Sequence, residues 1–249
     1  MASGETALIV GGGPGISASC ARLFRAQGMQ VVMAARNIDK PVLQILRADA
    51  GVTLIQCDAA DAGSVATLFA RTKELVGAPR LVVHNIDGRP ADVFRKTITE
   101  VSTDAFRTTL LNSTFSAFLV GQQAAQAMLE LEAREGHRGT ILFTNASAAF
   151  KGFPRSGAFA AASHGKAGLA ESMARELMPQ GIHVAHVPID AAIGWEREDG
   201  SRAHWLAGQT ENDNMAHPDR IAELYMQLHR QHRSTWAFEV VLRPWTEKW

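Results

Sequence analysis

Gly11-Gly12-Gly13-Pro14-Gly15-Ile16-Ser17 follows directly on an apolar run and leads into a helical pattern. Without a Cβ, the backbone here can approach a pyrophosphate. A helix opening at this point adds free N–H groups and the positive end of its dipole. A strand before, a helix after and a second strand from residue 30 are the context in which such a turn binds a dinucleotide; without it, the pattern is only a tight turn. Gly11, Gly13, Gly15 and Ile16 are therefore expected at the cofactor. Ser17 stands where the last glycine is expected, which loosens helix-to-strand packing without blocking phosphate contact.

The second strand ends Met33-Ala34-Ala35-Arg36-Asn37. A carboxylate there would hold both ribose hydroxyls of NAD, and none is present. Arg36 suits a 2′-phosphate or stacking on adenine, although a solvated surface arginine is the plainer reading. NADP(H) is expected in preference to NAD(H).

The elements that must position these groups alternate. Apolar runs at 6–10, 30–34, 53–57, 80–84, 140–144, 182–187 and 237–242 read as strands. Helical spacing covers 16–27, 38–48, 61–76, 104–133, 158–178 and 218–230, with Asp61 a natural N-cap. This order predicts an α/β fold, a doubly wound, Rossmann-type parallel sheet of seven strands in a single domain over residues 1–249. No repeat or linker divides it. A segment at about 190–216, rich in Gly, Asp, Asn and Trp, reads as a mobile flap over a substrate site.

The 249 residues suit one large domain, and 25 basic residues balance 25 acidic ones, so neither nucleic acid nor an anionic membrane is an expected partner. The two cysteines, Cys20 and Cys57, make no C-x-x-C pair, and the histidines show no metal-site spacing. Neither a membrane span nor a signal-peptide pattern is evident. A cytoplasmic protein with a small-molecule ligand and no metal is expected.

With these features the chain resembles the short-chain dehydrogenase/reductase family over nearly its whole length. The resemblance rests on the glycine turn, on Cys57-Asp58 after the third strand, and on Leu81-Val82-Val83-His84-Asn85-Ile86-Asp87-Gly88, which resembles the family's Asn-Asn-Ala-Gly segment. It rests further on Leu111-Asn112-Ser113 and on Glu171-Ser172-Met173-Ala174-Arg175-Glu176-Leu177 followed by Gly181-Ile182-His183-Val184. The resemblance implies that Asp58, with Ala59, meets the adenine, that Asn85 lies at the cofactor, and that Asn112 helps hold a catalytic water. It also implies a homodimer or homotetramer, paired through the long helices and the last strand, with Trp236, Trp245 and Trp249 toward the interface.

The same junction sets the register upstream. Ser163 falls where the family has its lysine, Phe159 where it has tyrosine, and Ala146 where it has the catalytic serine. In the family the tyrosine hydroxyl hands a proton to the carbonyl oxygen. The lysine lowers that tyrosine's pKa and holds the nicotinamide ribose, and the serine hydrogen-bonds the carbonyl. Phe159 has no proton to give, and Ser163 carries no charge. Positioned acid–base catalysis is worth about 10²–10⁴ in rate, so carbonyl reduction by that route should be badly impaired. A frame shifted by three residues recovers a lysine at Lys166 but pairs it with Ala162.

Substitutes are few. Ser147 could present a hydroxyl, against a local capping role, and Asn145 could donate to a carbonyl, against a loop-stabilising one. His84 could reach cofactor or make a structural hydrogen bond, and His164 reads as a surface histidine. Asp190 is the carboxylate expected near the nicotinamide, as a cofactor contact or a base, against a capping role. Trp195 and Trp205 would line the pocket. Three functions follow: an NAD(P)(H)-dependent oxidoreductase of a small carbonyl or alcohol with a degenerate site, an inactive cofactor-binding sensor or partner subunit, or a non-redox lyase or isomerase.

Overall fold

The computed structural model describes residues 4–196, 202–204, 208–209 and 215–248. Six strands, β1 (Thr6–Val10), β2 (Gln30–Ala35), β3 (Thr53–Gln56), β4 (Pro79–His84), β5 (Gly139–Ala146) and β6 (Ile182–Ile189), form one sheet. Their order is β3-β2-β1-β4-β5-β6, and every pairing is parallel. The chain reverses its winding between β1 and β4, so a crevice opens beyond the carboxyl ends of those two strands.

Both faces of the sheet are covered, which is why β1, β4 and β6 are buried along their whole length. Helices α1 (Ile16–Ala26), α2 (Pro41–Ala50) and α7 (Pro218–Arg230) pack on one face, around Phe24, Leu43 and Tyr225. Helices α3 (Ala62–Val76), α5 (Ser116–Leu129) and α6 (Gly157–Leu177) pack on the other, around Leu68, Met128 and Phe143. Asp61 caps α3 as its sequence position predicts, its Oδ1 accepting from the Ser64 N–H at 2.7 Å.

The seventh expected strand lies beside β6 but pairs by only two bridges, His186 to Glu239 and Ile189 to Leu242. The Val240 and Leu242 N–H groups donate to the His186 and Pro188 carbonyls, and the His186 and Asp190 N–H groups donate to those of Phe238 and Leu242. The bond absent from this series is the one Pro188 would donate, and proline has no N–H.

The predicted helix over 104–133 is three pieces. Helix α4 (Thr103–Leu110) runs into a π-helical turn, Leu111–Phe115, and then into α5. Across the turn the Ser116 hydroxyl donates to the Asn112 carbonyl at 2.5 Å. Such turns open the ladder by one residue, and this one sits where Asn112 faces the crevice. Within the expected flap, Ala192–Ile193 pairs in parallel with Met215–Ala216. Trp205, Trp249 and the side chain of Trp195 lie outside the described residues.

Candidate active site

Two cavities open at the carboxyl end of the sheet, of about 400 and 460 Å³. Asn85, Ile86, Asp87 and Arg89 line both, so the two form one cleft across the β1–β4 reversal.

The first half is built on the glycine turn. Gly11 has φ +110°, and a Cβ there would stand 2.2 Å from the Asn85 carbonyl oxygen. The Asn85 N–H donates to the Val10 carbonyl at 2.8 Å, and its side-chain amide donates to Ser17 Oγ at 2.7 Å. Ser17 in turn donates to the Gly11 carbonyl at 2.7 Å. Ser17 thus ties the turn to the end of β4, a use that glycine could not serve. Helix α1 opens at Gly15 with no side-chain cap, and a Cβ on Gly13 would meet nothing within 4 Å. Open space before an uncapped helix start fits a dinucleotide phosphate.

Arg36, Asp58, Ala59 and Asn112 line this half of the cleft with Lys40, whose ammonium donates to the Gly12 carbonyl at 3.2 Å. The Asp58 carboxylate accepts from the Ala60 N–H at 3.0 Å, and the Asn112 side chain donates to the Gly88 carbonyl at 3.3 Å. Lys40 escaped sequence reasoning. Its position four residues after Arg36, at the helix start, was the signal available.

The second half holds Ile16, Ala146, Ser147, Phe159, Lys166 and Asp190. Lys166, set aside in the shifted frame, is 2% exposed. Its Nζ donates to the Ile86 carbonyl at 2.9 Å and the Thr144 carbonyl at 3.4 Å. Seven residues after Phe159 on α6, it lies on the same helix face, and helical side chains lean toward the N-terminus. The ammonium therefore reaches the site without the expected spacing. Burial pulls its pKa down to about 8, against a smaller upward pull from Asp87. Ser163, one turn earlier, does not line the cleft, and its hydroxyl is buried with no partner among the described residues.

Asp190 is no free base. Its Oδ2 accepts from Lys151 at 2.6 Å and from Arg243 at 3.1 Å. Burial pushes its carboxyl up, but hydrogen bonds from Lys151, Ser147 and Arg243 outweigh this and hold it below the ordinary value. Ser147 lines the cleft beside it. Asn145 is spent as well, donating to the Ser163 carbonyl at 2.9 Å and to His186 Nε2 at 2.9 Å, while His186 Nδ1 meets Glu239 at 2.9 Å. His84 stays off the cleft lining, fully buried on Ser116 at 2.9 Å, with its pKa driven well below the ordinary value by burial and then by the Lys166 charge. His164 is exposed, as expected.

Over Phe159 lies a group that the sequence reading did not single out. The Arg89 guanidinium sits 3.8 Å from the Phe159 ring centre and 4.5 Å from that of Phe94. Asp87 holds it through Nε and Nη2, each at 2.6 Å. Among the described residues no group of three or more His, Cys, Asp or Glu side chains could hold a metal, and no helix is long and apolar enough to cross a membrane. Of the tryptophans expected at an interface, Trp236 stacks on His183 at 5.0 Å within the chain, and Trp245 is exposed.

Comparison with known proteins agrees with this geometry. Residues 11–237 match the family model described as enoyl-(acyl carrier protein) reductase. A 2,5-dichloro-2,5-cyclohexadiene-1,4-diol dehydrogenase of Sphingobium indicum is 28% identical over 182 residues, 73% of this chain and 70% of that one. The crystal structure of a short-chain dehydrogenase from Rhodopseudomonas palustris superposes with a TM-score of 0.76 at 30% identity, covering 97% of this chain and 99% of the other. A metagenomic short-chain oxidoreductase solved with NADP shares the fold at a TM-score of 0.77 and 20% identity, over 97% and 98% of the two chains. The chain belongs to the short-chain dehydrogenase/reductase family.

Proposed function

We propose that this chain is an NADP(H)-dependent oxidoreductase of a small carbonyl or alcohol whose site works without a tyrosine acid. The observation that carries the reading is the single cleft joining the Gly11–Asn85–Ser17 cradle to the Lys166 ammonium.

A nicotinamide dinucleotide, when bound, supplies hydride exchange with the substrate carbon. Gly13, Gly15 and the start of α1 would receive its pyrophosphate, and Asp58 and Ala59 would border the adenine. Arg36 and Lys40 put two cations where a 2′-phosphate would lie, which favours NADP(H) over NAD(H). Lys166 holds two of its three N–H donors on backbone carbonyls and keeps the third for the cleft, where it would meet the nicotinamide ribose or the substrate oxygen. Phe159 leaves the substrate oxygen without a hydroxyl donor, so its proton comes from Lys166 or from water near Asn112. Asp190 braces the wall through Lys151 and Arg243.

Cofactor binding without turnover is the second reading, favoured by the guanidinium that covers the Phe159 ring. Exposed Phe115, Phe118 and Leu129 on and beside α5 suit a homodimer or homotetramer.

The test is a thermal-shift titration with NADPH and NADH. Stabilisation by NADPH at lower concentration than by NADH is expected. Absence of any shift with millimolar dinucleotide would overturn the reading.

A further inference from the structure

We propose that Arg89 is a substrate-binding residue and that the cleft takes small anionic carbonyl or hydroxy compounds, gripping their carboxylate over the ring of Phe159. The proposal rests on the reading above for the identity of the cleft and adds the class of substrate.

The guanidinium is fixed before any ligand arrives. Phe159 and Phe94 flank it at 3.8 and 4.5 Å, and two 2.6 Å bonds to Asp87 set its rotation. Those bonds use one edge of the planar fork, Nε with one hydrogen of Nη2. The other edge, Nη1 with the second Nη2 hydrogen, makes no hydrogen bond among the described residues. Two parallel N–H groups on one edge match the two oxygens of a carboxylate.

The surroundings strengthen that match. The two aromatic faces cover most of the guanidinium, leaving its side chain 23% exposed, which raises the worth of an opposite charge placed on it. On the far wall the Asp190 carboxylate is already shared by Lys151 and Arg243. Lys166 adds a further cation to the lining and Glu247 a carboxylate. Among the described lining residues Asp190 is thus already engaged, and an incoming carboxylate would meet the cations Arg89 and Lys166.

A guanidinium gives up no proton, so Arg89 does not replace the acid that Phe159 lacks. It orients the substrate by a remote charge and leaves the carbonyl free to meet Lys166.

The test compares acetoacetate with its methyl ester by isothermal titration, into the chain alone and into the chain saturated with NADP⁺. No redox reaction is possible with both partners oxidised, so binding alone is read. In both states the acid is expected to bind about tenfold or more tightly than the ester, the ratio one charge-assisted fork supports. R89Q should erase the preference while leaving NADP⁺ affinity unchanged, and R89K should keep only part of it. Equal binding of acid and ester to the wild-type chain overturns the proposal, as does a preference that survives in R89Q. Loss of NADP⁺ affinity in R89Q also overturns it, by assigning Arg89 to the dinucleotide. Failure of NADP⁺ to bind the wild-type chain would instead refute the cofactor reading, while the titration of the chain alone still decides the role of Arg89.

Discussion

The Lys166 ammonium hydrogen-bonds the Ile86 carbonyl at 2.9 Å, while the Ser163 hydroxyl, one turn earlier on the same helix, is buried with no partner among the described residues. The charge stands three residues from where the resemblance sets it, and a small, unsatisfied side chain occupies the position it left. Replacing Lys166 with Met should therefore weaken NADPH binding about tenfold, the worth of one charge-assisted hydrogen bond. S163A should bind normally and be more stable by up to about 1 kcal/mol, because it removes a buried unsatisfied hydroxyl. Fluorescence titration and urea unfolding check the pair. Equal NADPH affinity in the wild type and K166M would leave Lys166 a purely structural cation.

The same lysine sets a pH dependence. A base whose folded pKa is lowered to about 8 carries its charge below that pH and loses it above. NADPH affinity should be flat from pH 6.5 to 7.5 and fall between pH 8 and 9.5, with no such step in K166M. Stability should move the opposite way. Above pH 8 the unfolded chain still holds the Lys166 proton that the folded chain has released, so stability from this group rises until the ordinary lysine pKa of 10.5 is reached.

Gly11 joins the fold to the cofactor claim in one backbone position. Its φ of +110° and the Asn85 carbonyl, 2.2 Å from where a Cβ would stand, exclude any side chain without a shift of main chain. G11A is expected to cost about 2–4 kcal/mol, combining unfavourable φ with a backbone clash. It should also abolish the thermal shift with NADPH. A variant that melts like the wild type and binds normally would show that the turn is not the cradle.

Asp190 is expected to act through stability. It anchors Lys151 and Arg243, both about three-quarters buried by side chain, while itself 5% exposed by side chain. Removing it in D190N leaves two cations without a shared carboxylate, at a cost of about 1–3 kcal/mol after allowance for their partial solvation. Its folded pKa is lowered, so its contribution is complete above the ordinary value of 3.8 and disappears as pH falls through the lower folded value. Urea unfolding of wild type and D190N should differ at pH 7 and converge only as the pH falls well below 3.8.

What could be read from the chain in advance was whatever depends on neighbours in sequence. The glycine turn sits between its strand and helix, Asp61 caps α3, and the six paired strands fall where their apolar runs do. The weak points were set by tertiary packing. The last run loses regular pairing because its neighbour carries Pro188, and the 104–133 helix opens at a π-helical turn stabilised by Ser116. Lys166 falls outside the motif's frame because a motif measures spacing between Cα atoms. Its four-carbon stem carries the charge back along α6 to the Ile86 carbonyl, just beyond β4, and the Thr144 carbonyl of β5. Arg89 was missed because its partners, Phe94 and Phe159, are distant in sequence from each other.

Lys166 also changes the design for restoring a family-type site. The substitutions A146S, F159Y and S163K would complete the set by register, but S163K places a second ammonium one turn from a lysine that is already 2% exposed. Two buried like charges repel and each loses hydration, so the triple variant is expected to lose stability by several kcal/mol. The double variant A146S/F159Y, which retains Lys166 as its cation, should instead fold normally and gain NADPH-dependent reduction of small ketones by about 10²-fold, the lower end of what a positioned acid supplies. Steady-state NADPH oxidation with each variant, beside S163K/K166S in the same background, separates the cases. Activity in S163K/K166S/A146S/F159Y but not in A146S/F159Y would mean that the ammonium of Lys166 lies too far from the reacting oxygen to serve, and that the charge must stand at position 163.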